Sequence, residues 1–460
     1  MQLSRRSFLS LSGACLAAAG LPRITLADSR PGEYTLIAEA ASVEILPGTQ
    51  TPGLLFNGGV PAPVLRVKQG ERLRVKFINR LNEPTTIHWH GVRLDIAMDG
   101  VPWLSQKPVM PGETFIYDFV CPDAGSFWYH PHMNSVEQLG RGLVGTLIVE
   151  EREPVGFDAD LVLQARDWRL HDDGQFMKLS DHRKMGKAGT FGNVRTVNGE
   201  LQPVFEIPAG GAIRARLLNL DNTRIYRCEL QRDVEQFYPA EIIATDSCPL
   251  NETWLLDNQM LGPGMRFDIA FRAPEAVGQE IRLVNNKVAK PYTMAVFRTV
   301  AAKRPVNPQM PKLPTNPLGQ PDLTNAPLLR FAFDSGAMSP VKKDGKIHYK
   351  FWTINRRSWE GMHKGFIPEP MAKLKLGKTY IFELQNLTPH SHPIHIHGHF
   401  FYVLESNKRT IIPHQADTVM ITPKERVKVA LLADNPGRWM YHCHIIEHMK
   451  TGMMGWIDVS

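Results

Sequence analysis

The sequence contains few cysteines, five in 460 residues, and this scarcity excludes a scaffold held together by disulfides. The five positions are Cys15, Cys121, Cys228, Cys248 and Cys443. Cys228 and Cys248 could pair in an oxidising compartment, and two buried free thiols are an equal alternative. Only Cys443, which stands between two histidines, lies in a setting that gives a thiol its own chemistry.

Long unbroken helical patterns are also scarce. Short alternating runs are common instead, for example residues 64–68 and 72–78. The 36 glycines and 35 prolines are spread along the whole chain. These features predict an all-β protein, and a chain of this length has room for roughly two to four domains.

The chain has no cluster of Lys and Arg of the kind that marks a nucleic-acid footprint. Its formal net charge is +7, but residues 1–27 hold three Arg and no acidic residue, so the charge without them is +4. We expect a mildly basic solvated surface, a monomer, and no nucleic-acid partner.

The first 27 residues have the features of an export signal. Residues 4–9 resemble the twin-arginine motif, an apolar stretch begins at Phe8, and a small-residue cleavage site ends at Ala27. The stretch is too short to span a bilayer comfortably. We therefore predict cleavage, export by the twin-arginine machinery to the periplasm or outside the cell, and no membrane attachment of the mature protein. Lipid attachment at Cys15 is the weaker alternative.

An internal repeat organises the chain into three units of about 130–150 residues. Each unit has an Asn-containing turn, then a Gly that precedes an alternating run, and then a second Asn nine residues after that Gly. The simplest architecture is three Greek-key β-sandwiches. The markers are Asn57, Gly70 and Asn79 in the first unit, Asn198, Gly210 and Asn219 in the second, and Asn355, Gly377 and Asn386 in the third.

The repeat also predicts the domain boundaries. After the export segment, we expect domains at residues 28–152, 153–303 and 328–460. Residues 304–327 are rich in Pro and are expected to form an extended linker.

Histidines recur at fixed positions in the outer two units only. We compared the positions nine and eleven residues after the second marker Asn of each unit. They are His88 and His90 in the first unit, Cys228 and Leu230 in the second, and His395 and His397 in the third. Five residues after Gly125 and Gly437 come the triplets His130-Pro131-His132 and His442-Cys443-His444, which have no counterpart in the middle unit.

Residues i and i+2 of a strand point to the same face, so each His-x-His pair offers two imidazoles to one side. Eight imidazoles from two units suit a cluster of a borderline metal such as copper. The Cys443 sulfur would point to the opposite face, where His392, His448 and Met453 could join it. Cys, two His and a weak axial Met are the blue-copper ligand set.

Four motifs resemble the signatures of the three-domain multicopper oxidases, a family that includes laccases and bacterial cuprous oxidases. The likeness covers residues 34–460 and implies three consecutive cupredoxin-like Greek-key β-sandwich domains. The motifs are His88-Trp89-His90-Gly91, Trp128-Tyr129-His130-Pro131-His132, His392-Pro393-Ile394-His395-Ile396-His397-Gly398, and His442-Cys443-His444 through His448 to Met453.

The resemblance implies four copper ions per chain, and no ligand position is substituted. A type 1 copper would be held by His392, Cys443, His448 and Met453, and a type 2 copper by His88 and His395. A type 3 pair would be held by His90, His130, His132, His397, His442 and His444.

Two acids are candidates for supplying protons. Asp99, nine residues after His90, matches the acid that lies behind the trinuclear site in the family. Glu447, beside His448, is the second candidate. The next position after His448 is acidic in some relatives and is Met449 here, so the chain departs from that pattern on this side.

The resemblance implies a copper oxidoreductase that reduces dioxygen to water with electrons from a reductant, oxidised near the exposed edge of His448 or His392. We expect laccase-like activity on phenols and aromatic amines, because the methionines are scattered. A cuprous-ion oxidase serving copper tolerance is the close alternative. A copper-storage protein and a copper nitrite reductase are the alternatives from other classes.

Overall fold

Strands make up nearly all the regular structure of the protein, and this confirms the predicted all-β class. The computed structural model describes residues 32–232, 236–286, 288–336, 341–343, 346–348 and 350–460. The predicted export segment, with Cys15, lies outside the described residues. Among the residues described, no helix has the length and apolar character needed to cross a membrane.

The first pair of sheets is built from eight strands. They are β1 Glu33–Val43, β2 Thr51–Phe56, β3 Leu65–Lys68, β4 Arg72–Asn79, β5 His88–His90, β6 Thr114–Val120, β7 Gly125–His130 and β8 Gly145–Glu150. One sheet has the order β2-β1-β4-β6 and the other β3-β8-β7-β5. A short 3-10 helix, Ile96–Met98, and the helix α1, Ser135–Gly140, lie in the connections.

The second pair of sheets has twelve strands. They are β9 Ala159–Trp168, β10 Val194–Val197, β11 Val204–Pro208, β12 Ala212–Asn219, β13 Tyr226–Arg232, β14 Gln236–Tyr238, β15 Glu241–Thr245, β16 Cys248–Leu255, β17 Met260–Leu261, β18 Arg266–Arg272, β19 Glu280–Asn285 and β20 Tyr292–Val300. The orders are β10-β9-β12-β18-β15-β16 and β11-β20-β19-β13-β14. The four-residue helix α2, His182–Met185, lies between β9 and β10.

The third pair of sheets follows the linker. Its strands are β21 Leu328–Asp334, β24 Thr353–Ile354, β25 Ala372–Leu374, β26 Thr379–Asn386, β27 His392–Ile396, β28 Phe401–Ser406, β29 His414–Ala416, β30 Thr418–Ile421, β31 Arg426–Leu432, β32 Gly437–Cys443 and β33 Met454–Val459. A separate hairpin is formed by β22 Val341–Lys343 and β23 Lys346–His348. The orders are β24-β21-β26-β31-β28-β29 and β25-β33-β32-β27-β30. The helix α3, Ile446–Lys450, connects β32 to β33.

Three sheet pairs that share the same order of their core strands confirm the predicted fold class of three consecutive cupredoxin-like sandwiches. The predicted boundaries at residues 152, 303 and 327 fall in the connections between the pairs. They stay a prediction as limits of separate domains, because the apolar cores of the first and third pairs are continuous.

The first marker Asn of each unit has the same structural role. Asn57 adopts a left-handed backbone, with a φ of 51°, which Asn tolerates better than most residues. Its side chain accepts from the Ile37 amide and donates to the Thr35 carbonyl, at 2.7 and 3.0 Å. Asn198 and Asn355 repeat both the conformation and the pair of hydrogen bonds.

The second marker Asn is buried at the end of an inner strand. In the middle unit, the Asn219 amide donates to the carbonyls of Arg224 and Leu261 at 2.8 and 2.9 Å, and its oxygen accepts from the Asp221 amide. Asn79 and Asn386 make the same set of bonds. The sequence repeat therefore reflects a need to satisfy buried backbone groups at one corner.

The four described cysteines are buried free thiols, so Cys228 and Cys248 do not pair. Cys228 takes the place of a histidine of the outer units and packs in the core of the second sheet pair. Its Sγ lies 3.5 Å from Met294 Sδ. The middle unit thus fills with apolar contacts the position where the outer units present imidazoles.

The Asn corner can be tested in the middle unit, which provides no candidate copper ligand among its described residues. Asn219→Ala leaves two buried carbonyls and one amide without partners, and we expect a loss of about 2–4 kcal/mol in the free energy of unfolding. Denaturant unfolding measures this loss. The exposed Asn251→Ala serves as control, and equal effects of the two substitutions would contradict the role of the corner.

Candidate metal centre

The histidines of the first and third sheet pairs meet at the interface between these pairs. His88 and His90 come from β5, and His395 comes from β27. His88 stacks on His397 with ring centroids 3.7 Å apart, and His90 stacks on His395 at the same separation. Imidazoles from two distant parts of the chain therefore interleave in one buried cluster.

The ring nitrogens of the cluster form three groups in which candidate ligand atoms lie within 4.8 Å of one another. The six residues predicted for the type 3 pair separate into two triads. The groups are His90, His130 and His444; His132, His397 and His442; and His88, His90 and His395.

Many nitrogens in this cluster have no hydrogen-bond partner among the described residues, although they are buried. They are His88 Nε2, His90 Nδ1, His130 Nε2, His132 Nε2, His395 Nε2 and both nitrogens of His444. Buried polar atoms without partners are costly. A set of convergent, unpaired imidazole nitrogens is what a copper cluster requires, so the residues fit the metal.

The protonation of the cluster also suits metal binding. Burial and the neighbouring imidazoles hold the pKa of His130, His132 and His397 well below the usual range. The pKa values of His90, His442 and His444 are lowered for the same reasons. Neutral imidazoles have a free lone pair, which is the form that coordinates a metal.

Hydrogen bonds fix which nitrogen of each ring faces the cluster. His88 Nδ1 donates to the Asp99 carbonyl at 2.9 Å, and His395 Nδ1 donates to the Asp417 carbonyl at the same distance. Asp99 Oδ2 lies 2.9 Å from His397 Nδ1. The Nε2 atoms of all three rings therefore point inward, as ligand orientation by outer groups requires.

Asp417 orients the His90 ring so that Nδ1, and not Nε2, faces the cluster. Its carboxylate lies 3.0 Å from His90 Nε2, which leaves Nδ1 as the inward nitrogen. Arg266 Nη2 forms an ion pair with Asp417 at 2.8 Å. Although burial opposes its ionisation, Arg266 lowers the pKa of Asp417 below the ordinary value. Asp417 can thus accept a hydrogen bond as an anion.

The middle unit supplies the other half of this ionic cluster. Arg266 belongs to β18, and its backbone amide donates to Asp246 at 2.9 Å. Burial, together with the charge of Asp417, raises the pKa of Asp246 to about 8. The second oxygen of Asp246 accepts from the Thr418 amide at 3.0 Å. A unit without copper-ligand candidates therefore positions the histidines of the other two.

Cys443 lies on the opposite side of its strand from His442 and His444, as predicted. Its Sγ is 3.6 Å from His392 Nδ1 and 3.7 Å from His448 Nδ1. Met453 is fully buried beside them, and its carbonyl accepts from the Cys443 amide at 3.1 Å. The two candidate sites are thus joined through one residue and its two neighbours.

His392 and His448 are completely buried, so the expectation of an exposed imidazole edge was wrong. His448 Nε2 donates to the Lys187 carbonyl at 2.7 Å, and His392 Nε2 lies 2.8 Å from Thr388 Oγ1. Trp352 covers both rings, with its centroid 4.4 Å from that of His448. Sequence spacing could not show that the Lys187 carbonyl covers His448, because Lys187 comes from the middle unit.

Glu447 contacts the segment that carries Lys187. Its carboxylate accepts from the Thr190 hydroxyl at 2.7 Å and from the Thr190 amide. Burial raises its pKa above the ordinary value. Through these contacts Glu447 helps to hold the segment that covers His448. Its role in supplying protons stays a prediction. Asp99, in contrast, touches two histidines of the cluster directly.

Sequence reasoning missed Asp417, Arg266 and Trp352. A signal for Asp417 existed, since it immediately precedes β30, which pairs with the histidine strand β27. Trp352 comes just before the marker turn of the third unit. Nothing in the sequence pointed to Arg266, because its unit has no metal motif.

The chain matches two family models, each described as multicopper oxidase, over residues 38–154 and 340–460. A multicopper oxidase structure from Pseudomonas thermotolerans is 43% identical with a TM-score of 0.85, covering 94% of this chain and all of that one. A multicopper oxidase of Staphylococcus aureus is 28% identical over 441 residues, covering 93% of this chain and 88% of that protein. A Campylobacter jejuni structure described as a metallo-oxidase is 25% identical with a TM-score of 0.77, covering 93% of this chain and 91% of that one.

The role of Arg266 can be tested by copper content. We expect Arg266→Met to weaken copper binding by about 10-fold or more, because Asp417 loses its counter-ion and His90 its fixed orientation. Copper per chain and the electron paramagnetic resonance signal report this, and Arg266→Lys should restore part of it. Arg214→Met breaks another buried ion pair of the same unit, with Asp268. If it removed copper equally, the effect would be one of stability.

Proposed function

Because the chain belongs to the multicopper oxidase family and is a copper-dependent oxidoreductase, we propose that it couples oxidation of a small reductant to reduction of dioxygen. Four reductant molecules each lose one electron, and dioxygen takes up four electrons and four protons to give two water molecules. The physiological reductant is a phenol or an aromatic amine, as for laccases.

The observation that carries the proposal is the buried cluster of eight imidazoles beside the Cys443 group. We assign His90, His130 and His444 to one type 3 position, and His132, His397 and His442 to the other. His88 and His395 would hold the type 2 ion, and His392, Cys443, His448 and Met453 the type 1 ion. When bound, four copper ions supply one-electron chemistry and the capacity to deliver four electrons to dioxygen.

The chain's own residues position and isolate this chemistry. Cys443 and its flanking residues, His442 and His444, give a short covalent path between the two sites. Asp99 contacts His88 and His397 and is placed to hold a proton at its carboxylate. Seven of the eight cluster histidines are buried and His132 is half-buried, so bulk water is excluded from around most of the rings.

A cuprous ion is the second candidate donor. Complete burial of His392 and His448 favours it, because the ring of an aromatic donor cannot contact either imidazole. The Campylobacter jejuni relative is described as a metallo-oxidase, which supports the same candidate. The scattered methionines count against it.

The protein acts in the periplasm or outside the cell and reaches it through the twin-arginine machinery. Support comes from residues 1–27, with Arg5 and Arg6 before an apolar stretch. Export of the folded chain fits a protein whose histidines come from both ends of the sequence, since they converge only after folding. A monomer is sufficient for the site, because one chain provides all the ligand candidates.

Cys443→Ser tests the electron path. We expect loss of the intense blue absorption and a fall of at least about 100-fold in oxygen uptake, because a serine oxygen does not replace a thiolate ligand. Cys121→Ser, at another buried thiol, should keep both properties. Unchanged oxygen uptake by the Cys443 variant would show that the assigned path is wrong.

Oxygen consumption with a phenol and with Cu(I), measured in parallel on the copper-loaded protein, ranks the two donors. We expect turnover with both and a higher kcat/KM for the phenol. Bound copper without oxygen uptake would identify a storage protein instead. Nitrite reduction would point to a nitrite reductase.

A further inference from the structure

Among the described residues, two groups hold the outer nitrogens of the buried type 1 histidines. One is the Lys187 carbonyl, which accepts the hydrogen bond of His448, and the other is the Thr388 hydroxyl, which contacts His392. Both imidazoles have no exposed surface. The residues around Lys187 and Thr388 therefore form the surface that a donor meets.

The segment around Lys187 is strongly basic. Between residues 178 and 190 it exposes Lys178, Arg183, Lys184 and Lys187. Asp181 is the one acid in this interval, and its carboxylate accepts from the Arg183 amide at 2.9 Å. A donor that approaches the Lys187 carbonyl thus meets an excess of positive charge.

The side of Thr388 carries positive charge as well. Exposed Lys424 donates through Nζ to the carbonyl of Leu387, the residue before Thr388, at 2.5 Å. Two acids lie on this side: the Asp334 carboxylate accepts from the Ser335 amide at 2.7 Å, and the buried Glu425 carboxylate forms an ion pair with Arg409 at 2.9 Å. The rings of His392 and His448, which these two sides cover, have centroids 4.9 Å apart. The two basic groups therefore flank one approach.

The segment is held in place from two directions. Trp352 Nε1 donates to the Met185 carbonyl at 2.7 Å, and the Glu447 carboxylate binds the hydroxyl and amide of Thr190. These contacts bracket Lys187 and fix its carbonyl on His448. The charge of this fixed surface around Lys187 then decides which donors approach, and no pocket has to open.

We propose that this surface, the access face of Lys178, Arg183, Lys184, Lys187 and Lys424, selects anionic aromatic reductants such as phenolates and carboxylated phenols. A patch of one sign raises the local concentration of ligands of the opposite sign and their association rate. The same field repels cations, Cu(I) included. This inference rests on the proposed oxidase function and specifies its donor.

The reaction balances with dioxygen as the oxidant. A phenolate gives up one electron across the access face and leaves as a neutral radical. A carboxylated phenol gives up one electron and its hydroxyl proton, which is one of the four protons that dioxygen takes up, and leaves as a radical that keeps its carboxylate charge. Four donors, one dioxygen and four protons yield four radicals and two water molecules. No bond forms between donor and protein, so charge acts on encounter and not on a covalent step.

The test uses three ferrocene donors of one size and different charge, namely ferrocenecarboxylate, ferrocenemethanol and ferrocenylmethyl-trimethylammonium. Oxygen uptake by the copper-loaded protein gives kcat/KM for each donor. The variant is Lys187→Glu with Lys424→Glu, and the control is Lys76→Glu with Lys373→Glu, which makes the same change in net charge at other exposed positions.

At low ionic strength we expect the variant to lose about 10-fold in kcat/KM for the anion, change less than about 2-fold for the neutral donor, and gain for the cation. High salt should remove most of these differences, and the control pair should show none. Comparing variant with wild type for each donor cancels the differences in donor potential.

Equal losses for all three donors, or no change for any, would overturn the inference. Equal losses would show that charge at these positions does not distinguish donors, and an unchanged blue absorption would show that the type 1 site is intact. Failure of the oxidase function itself would look different. The wild-type protein would then consume no oxygen with any of the three donors.

Discussion

The structure depends on one constraint, the burial of many neutral imidazoles whose inward nitrogens have no partner in the described chain. Such a cluster is unfavourable by itself, since each unpaired polar atom loses its hydrogen bonds to water. Bound cations relieve this cost. Interleaved rings from the first and third sheet pairs, such as His88 on His397, therefore link metal binding to the joining of two sandwiches.

The middle sandwich contributes charge and cover rather than ligands. Arg266 stabilises the anionic form of Asp417, and Asp417 fixes which nitrogen of His90 faces the cluster. A second part of the same unit places the Lys187 carbonyl on His448. The unit that lacks the metal motifs therefore still contacts both candidate sites.

The period of two in a strand separates the two candidate sites. In β27, His392 and Ile394 face one way and His395 the other, and Ile394 lies opposite Cys443 of β32. The sulfur therefore joins His392, whereas His442 joins the histidine cluster. One strand pair serves both sites, and the distance between them follows from strand geometry.

The sequence by itself determined the class of the fold, the three repeats and nearly every residue of the histidine cluster. It could do so because strand periodicity is local and because Asn57, Asn79 and their counterparts satisfy the same backbone groups in each unit. The positions of Asp417, Arg266 and the Lys187 carbonyl were decided by tertiary structure alone. Their contacts join segments more than a hundred residues apart, and no local pattern encodes which surface of one sandwich covers another. For that reason the burial of His448, and with it the nature of the donor surface, could not be read from spacing.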